Sequence, residues 1–93
     1  MNIVIEENDK KGAAIAMDGD LEAGRMTFVK SFPGMIIIDH TEVGDDYRNN
    51  GVGRKMLDAM VEKARKESFK ILPLCPYAKS VFDKDPSIAD VLK

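Results

Sequence analysis

The chain has 93 residues, and 14 basic side chains against 16 acidic ones leave a formal net charge of −2. This length predicts one domain, residues 1–93, with a modest hydrophobic core. The acidic excess argues against a nucleic-acid-binding protein or one held on an anionic membrane, because either needs a basic surface. The single cysteine excludes an internal disulfide and argues against a cysteine-based zinc site, and a lone thiol is typical of a cytoplasmic protein.

The sequence also argues against membrane insertion and secretion. The longest apolar run, at residues 35–38, is far too short to span a bilayer. The N-terminal residues lack a basic segment followed by an apolar stretch, so we expect no signal peptide.

Turn residues divide the first half of the chain into four predicted strands. Apolar and β-branched residues recur at 3–6, 13–17, 21–29 and 35–43. The Asp18-Gly19-Asp20 turn separates the second and third strands, and Phe32-Pro33-Gly34 separates the third and fourth. The isoleucines at 36–38 are typical of a strand that is covered on both faces.

The hydrophobic period changes in the second half of the chain. Apolar residues recur every four positions between residues 51 and 68, which predicts an amphipathic helix whose charged residues 63–67 form a solvated face. Residues 71–75 predict a fifth strand, and Pro73 favours a sheet edge or a point where this strand leaves its neighbour. Residues 77–84 predict a short helix, and residues 87–92 a last turn or two.

These elements predict an α+β fold. Strands joined by short turns pair antiparallel, whereas the strand, helix and strand around residue 51 form a parallel crossover. We therefore expect a mixed, mostly antiparallel sheet with helices on its faces.

The segment before the long helix has the composition of an anion-binding turn. A helix N-terminus carries unpaired N–H groups and the positive end of the helix dipole. Gly51 and Gly53 remove side chains that would keep a phosphate away, and Arg48 and Arg54 add positive charge. The spacing matches neither the P-loop nor the Rossmann fingerprint.

The turn resembles the acyl-CoA signature of the GNAT superfamily of N-acetyltransferases. Arg48-x-x-Gly51-x-Gly53 matches Q/R-x-x-G-x-G/A, and a hydrophobic strand precedes it and an amphipathic helix follows it. Residues 38–43 and 72–77 extend the likeness over about residues 35–85, and they resemble the branch of very small GNAT-like proteins of about a hundred residues.

The resemblance implies that acetyl-CoA is the co-substrate. In that superfamily the pyrophosphate rests on this helix N-terminus, and the pantetheine arm lies beside the fourth strand, where the fourth and fifth strands splay apart. Val43 would then hydrogen-bond the pantetheine arm through its backbone. The pyrophosphate would be held by Arg48, Asn49, Asn50, Gly51, Val52, Gly53 and Arg54.

Four residues are candidates for the chemistry, and each has a structural alternative. Cys75 could accept the acyl group as a thiolate favoured by the helix that follows, or it could only line the pocket. His40, the only histidine, could act as a general base or activate the thiol, with Glu42 on the same strand face orienting its ring. Both could equally be polar residues at a strand end. Tyr77 could protonate the leaving CoA thiolate, a role that the resemblance implies, or it could pack its ring.

The chain departs from a full GNAT domain, because it lacks the helices and the C-terminal strand that usually shape the acceptor site. The leading interpretation is an N-acetyltransferase that transfers the acetyl group of acetyl-CoA to an unidentified amine, through or with the help of Cys75. One alternative is a sensor or partner-dependent module that binds acyl-CoA without efficient turnover, and another is a general anion- or nucleotide-binding module. We expect no metal site. We expect a monomer or a weak homodimer, and dimerisation would follow from a bare sheet edge.

Overall fold

Five strands form one sheet in the chain order β1-β2-β3-β4-β5 in the computed structural model, which describes residues 1–31 and 33–93. Their bounds are β1 (Asn2–Glu7), β2 (Lys11–Asp18), β3 (Leu21–Ser31), β4 (Met35–Val43) and β5 (Lys70–Pro73). The first four strands pair antiparallel, and β5 pairs parallel with β4. The predicted mixed, mostly antiparallel sheet is therefore confirmed. Of the predicted break before β4, Phe32 lies outside the described residues.

Two α-helices follow the four-stranded meander. Helix α1 (Val52–Glu67) connects β4 to β5, and α2 (Pro76–Lys84) follows β5. Met56 and Met60 are fully buried, as their four-residue spacing predicted. Short 3-10 turns cover Asp45–Tyr47 and Pro86–Val91.

The hydrophobic core lies on one face of the sheet, which we call the inner face. Met26 and Phe28 of β3 and Ile36 and Ile38 of β4 form one buried cluster with both α-helices. The expectation that β4 is covered on both faces is wrong in part, because Ile37 is only half-buried. The opposite, outer face is open to solvent at Val4 and Val29.

Lys63 corrects the prediction that residues 63–67 form a solvated face. Its side chain is 6% exposed, and its ammonium nitrogen lies 2.5 Å from a carboxylate oxygen of Glu7 and 2.5 Å from one of Glu67. Hydrogen bonds from Lys30 and Lys63 lower the pKa of Glu7. The helical pattern did not reveal this position, because the ammonium group reaches a carboxylate on β1, 56 residues away in the chain.

Candidate functional site

The N-terminus of α1 is open to an anion. Gly51 is its N-cap residue with φ 75°, and Asn49 also has left-handed backbone, with φ 65°. No side chain caps the helix, and its first turn contains no acidic residue, so the first backbone N–H groups are available to a ligand. A β-carbon on Gly51 would meet no atom within 4 Å, so glycine is needed here for its conformation and not for space. This geometry fits a phosphate or pyrophosphate group.

A cleft of about 840 Å³ extends from this helix end to the start of β3. Six of the eight residues predicted to bind the cofactor line it, and Asn50 and Arg54 do not. Of the candidate catalytic residues, Glu42 and Tyr77 line the cleft, whereas His40 and Cys75 do not. The lining residues are Glu22, Ala23, Gly24, Arg25, Thr41, Glu42, Val43, Gly44, Asp45, Tyr47, Arg48, Asn49, Gly51, Val52, Gly53 and Tyr77.

The two arginines of the signature differ in what they contact. Arg48 is exposed, and its only described salt bridge is a 3.3 Å contact with Asp45 three residues before it. Arg54 instead lies 2.8 Å from Asp58 and 2.5 Å from Asp85, and hydrogen bonds to these carboxylates raise its pKa. Arg54 therefore links α1 to the segment after α2. Of the two arginines of the signature, Arg48 is the one that lines the cleft.

The second half of β4 has no strand beside it on the β5 side, within the described part of the chain. The parallel pairing ends at Ile38 and Pro73, and the N–H groups of Leu74 and Cys75 both donate to the carbonyl of Ile38, at 3.0 Å each. The predicted fifth strand, residues 71–75, is thus too long at its C-terminus, because the chain turns away directly after Pro73. Beyond Ile38, residues 39–43 of β4 offer backbone groups to an extended ligand.

Cys75 is the N-cap residue of α2 and not the end of β5. It is buried, with 3% of its surface exposed, and its sulfur lies 3.1 Å from the hydroxyl oxygen of Thr41. Thr41 lines the cleft, so the thiol lies directly behind one side chain of the cleft wall.

A β-bulge at Asp39 sets which side chains of β4 face the thiol. The register shifts between Thr27 and Phe28, so His40 lies opposite Thr27, whereas Thr41 lies opposite the buried Met26. Because side chains alternate along a strand, Thr41 points to the inner face and His40 to the outer face. The structure therefore does not bring His40 to Cys75.

The predicted pairing of His40 with Glu42 on one strand face is present. Nε2 of His40 lies 3.4 Å from a carboxylate oxygen of Glu42, and both side chains are exposed. The pair lies on the outer face, at the end of β4 that leaves β5.

Tyr77 lies against the first turn of α1. A β-carbon on Gly53 would lie 2.8 Å from Cζ of the Tyr77 ring and 3.0 Å from its hydroxyl oxygen. Burial raises the pKa of Tyr77, so its hydroxyl is protonated at neutral pH. Gly53 thus makes room for an aromatic ring as well as for a ligand.

Eight of the sixteen residues that line the cleft were not predicted as site residues, and Tyr47, Gly24 and Thr41 are among them. Tyr47 donates a hydrogen bond to Asp18 across 2.9 Å, and no sequence signal indicates this contact. Gly24 lies where a β-carbon would be 2.9 Å from the Glu42 carbonyl oxygen, and a glycine inside a strand pattern is a signal of such close approach. Thr41 gave no signal, because its role depends on the position of Cys75.

In residues 1–31 and 33–93, no group of three or more histidine, cysteine, aspartate or glutamate side chains could hold a metal ion. None of the helices in this part of the chain has the length and apolar character needed to cross a membrane.

An open helix N-terminus beside the unpaired end of β4, in a mixed five-stranded sheet, defines a GNAT-type α+β domain. The profile of the GCN5-related N-acetyl-transferase family matches residues 13–91. The chain belongs to this family. No curated protein sequence matches it.

Solved structures are similar to the chain over most of its length. A GCN5-like protein from Staphylococcus aureus, solved by NMR, is 34% identical with a TM-score of 0.72, and the match covers 99% of this chain and 89% of that one. The ribosomal-protein-alanine N-acetyltransferase of Brucella melitensis shares the fold at 19% identity and a TM-score of 0.71, with 83% and 62% covered. An acetyltransferase from Vibrio fischeri has 18% identity and a TM-score of 0.60, with 73% and 63% covered. The chain thus spans less than two thirds of the last two proteins.

Proposed function

We propose that the chain is an acyl-CoA-dependent N-acetyltransferase that transfers the acetyl group of acetyl-CoA to an amine. The observation that carries this proposal is that an uncapped helix N-terminus and the unpaired end of β4 border one cleft. The helix end suits a pyrophosphate, and the free strand edge suits the amide groups of a pantetheine arm. Membership of the GCN5-related N-acetyltransferase family supports the same reaction class.

The binding roles follow from which groups are free. The backbone N–H groups around Gly51 hold the pyrophosphate, with the exposed Arg48 adding charge. Val43 and its neighbours on β4 hold the pantetheine arm through backbone hydrogen bonds. Arg54 orients α1 through its two carboxylate partners and does not bind the phosphates itself.

Acetyl-CoA supplies a thioester, whose carbonyl carbon is open to attack by a neutral amine. His40 lies outside the cleft lining but 3.4 Å from Glu42, which lines it. In this proposal His40 accepts, at the edge of the cleft, the proton that the amine must lose as its carbon–nitrogen bond forms. Tyr77 donates its hydroxyl proton to the sulfur as the carbon–sulfur bond breaks, and solvent then returns a proton to Tyr77. Burial raises the pKa of Tyr77, so its hydroxyl carries a proton at neutral pH, although it is a weaker acid than a free tyrosine, and its role depends on its position beside the cleft.

A covalent route through Cys75 is a second form of the same proposal. Cys75 Sγ would take the acetyl group by thioester exchange, with its proton passing to the departing CoA sulfur, and the amine would then take the group from Cys75. The contact with Thr41, which lines the cleft, supports access from the cleft. The burial of Cys75 equally fits a side chain that only packs.

Intact-protein mass spectrometry after incubation with acetyl-CoA tests the two routes. A hydroxylamine-labile acetyl adduct in the wild type, absent in Cys75→Ala and discharged by an amine, would establish the covalent route. Amine acetylation that continues in Cys75→Ala without any adduct would establish direct transfer.

Binding measurements separate the remaining functions. Calorimetric binding of CoA without turnover of any amine would favour a non-catalytic acyl-CoA sensor or partner-dependent module, which the open acceptor side makes reasonable. CoA that competes no better than ATP or sulfate would overturn the cofactor assignment and favour a general anion-binding module.

A further inference from the structure

The outer face of the sheet carries a row of side chains that leads across four strands to His40. Glu6 pairs with Ala13, Ala13 with Thr27, and Thr27 with His40. Residues paired directly opposite each other point to the same side of a sheet. The row therefore starts at Glu6 on the edge strand β1 and ends at His40 on β4.

Small side chains in the middle of this row leave a groove. Ala13 and Thr27 form its floor, and the groove has a volume of about 610 Å³. Arg25 lines both this groove and the cleft described above, so the two are neighbours on either side of one side chain. The lining of the groove ends at Asp39, the residue before His40. Along the paired row, three strand spacings separate Glu6 from His40, a distance of about 14 Å.

The charges of the groove suit a cationic ligand. Glu6 lies at one end, and Asp39, which accepts a hydrogen bond of 2.6 Å from Thr27, lies beside His40 at the other. Arg25 is hydrogen-bonded to Glu22 at 2.8 Å, and hydrogen bonding to that carboxylate raises its pKa. Lys11 is the remaining cation in the described lining.

Apolar side chains flank the charged row. Val4 is 43% exposed and Val29 is 39% exposed, and both lie in the neighbouring rows of the same face. Exposed apolar groups beside a charged groove favour a polypeptide over a simple polyamine, because a polyamine offers no side chains to cover them.

On the basis of the proposed function, we propose that this groove binds the acceptor as an extended, cationic polypeptide segment. The acceptor amine lies at His40, and a second basic side chain lies at Glu6. An extended chain advances about 3.4 Å per residue, so about four residues separate the two positions. A monoamine cannot bridge the two positions.

Synthetic heptapeptides with blocked termini and one acceptor lysine test the proposal. Arginine, which keeps its charge and is not an amine acceptor, is placed four residues before or after the lysine, and the comparison peptide carries glutamine there. We expect one of the two arginine peptides to have a kcat/KM about two- to fivefold higher than its glutamine counterpart, which is the range of one partly exposed ion pair. Fluorescence anisotropy of the labelled peptides should show the same preference in binding.

Glu6→Gln should abolish this preference while leaving the glutamine peptide unchanged. Glu62→Gln, which removes an exposed carboxylate on α1, should retain it. An arginine effect that persists in Glu6→Gln would overturn the proposal, as would a higher kcat/KM for spermidine or for Nα-acetyl-lysine methylamide than for any peptide. Glu6-dependent peptide binding without turnover would support the groove and count against the proposed enzyme, so the two proposals fail separately.

Discussion

Replacing Gly53 by alanine tests whether Tyr77 acts in the reaction. The new β-carbon would lie 2.8 Å from Cζ of the Tyr77 ring, whereas carbon atoms in favourable contact are at least about 3.5 Å apart. The ring must therefore retreat by about 0.7 Å, the difference between these distances. It can do so, because Tyr77 is 37% exposed. The substitution thus displaces one hydroxyl and leaves the fold intact.

We expect kcat of Gly53→Ala to fall by about 10- to 100-fold, because sub-ångström to ångström displacement of a positioned group is costly in an active site. The unfolding free energy should change by less than about 1 kcal/mol, since alanine is the better helix former and offsets the steric strain. Affinity for CoA should change little, because the signature admits alanine at this position and the backbone N–H groups remain. Thiol release from acetyl-CoA, urea unfolding and calorimetry measure the three quantities.

A double-mutant cycle with Tyr77→Phe provides the control. Once the hydroxyl is absent, Gly53→Ala should lower kcat by no more than about threefold, because both changes act through the same group. Multiplicative effects would refute the reasoning, and so would a Gly53→Ala enzyme with the kcat of the wild type.

Three further predictions concern stability and binding. In Gly51→Ala the alanine must adopt φ 75°, so we expect the free energy of unfolding, measured in urea, to fall by about 1–2 kcal/mol and CoA to bind more weakly. Unchanged values would contradict the geometry of the anion-binding turn. Lys63→Ala removes the ammonium group that contacts Glu7 and Glu67 and should lower the free energy of unfolding by about 2 kcal/mol. Replacing the exposed Lys55 by alanine should change it by no more than about 0.5 kcal/mol. Equal losses would contradict a stabilising role of the Lys63 ion pairs. Hydrogen bonds, chiefly from Ser87, lower the pKa of Asp85 from 3.8 to about 2. The lowered pKa stabilises the fold fully above pH 3.8, and this contribution is lost as the pH falls through 2. In Asp85→Asn the free energy of unfolding should therefore depend less on pH between these two values, which urea unfolding at a series of pH values measures.

Local patterns predicted much of the fold. The bounds of β4 match the prediction, and α1 begins and ends within one residue of it, because hydrophobic period and turn residues report local backbone structure directly. The anion-binding turn was also predictable, since a helix N-terminus with glycines has the same properties in any fold. The antiparallel order of β1 to β4 followed from their short connections.

Contacts between distant segments were not predictable in the same way. Lys63 was assigned to a solvated face, because nothing in the helix indicates that Glu7 lies beside it. Cys75 was assigned to β5, because the turn after Pro73 depends on two N–H groups that share the Ile38 carbonyl.

The sequence by itself determined the fold class, the strand–helix–strand unit and the anion-binding turn, because each depends on residues that are neighbours in the chain. Only the tertiary structure decided how the candidate catalytic residues are distributed. A one-residue bulge at Asp39 places His40 on the outer face and Thr41 beside Cys75. A shift of one residue exchanges the two faces of a strand, and the shift depends on pairing with β3, which no local pattern in β4 reveals.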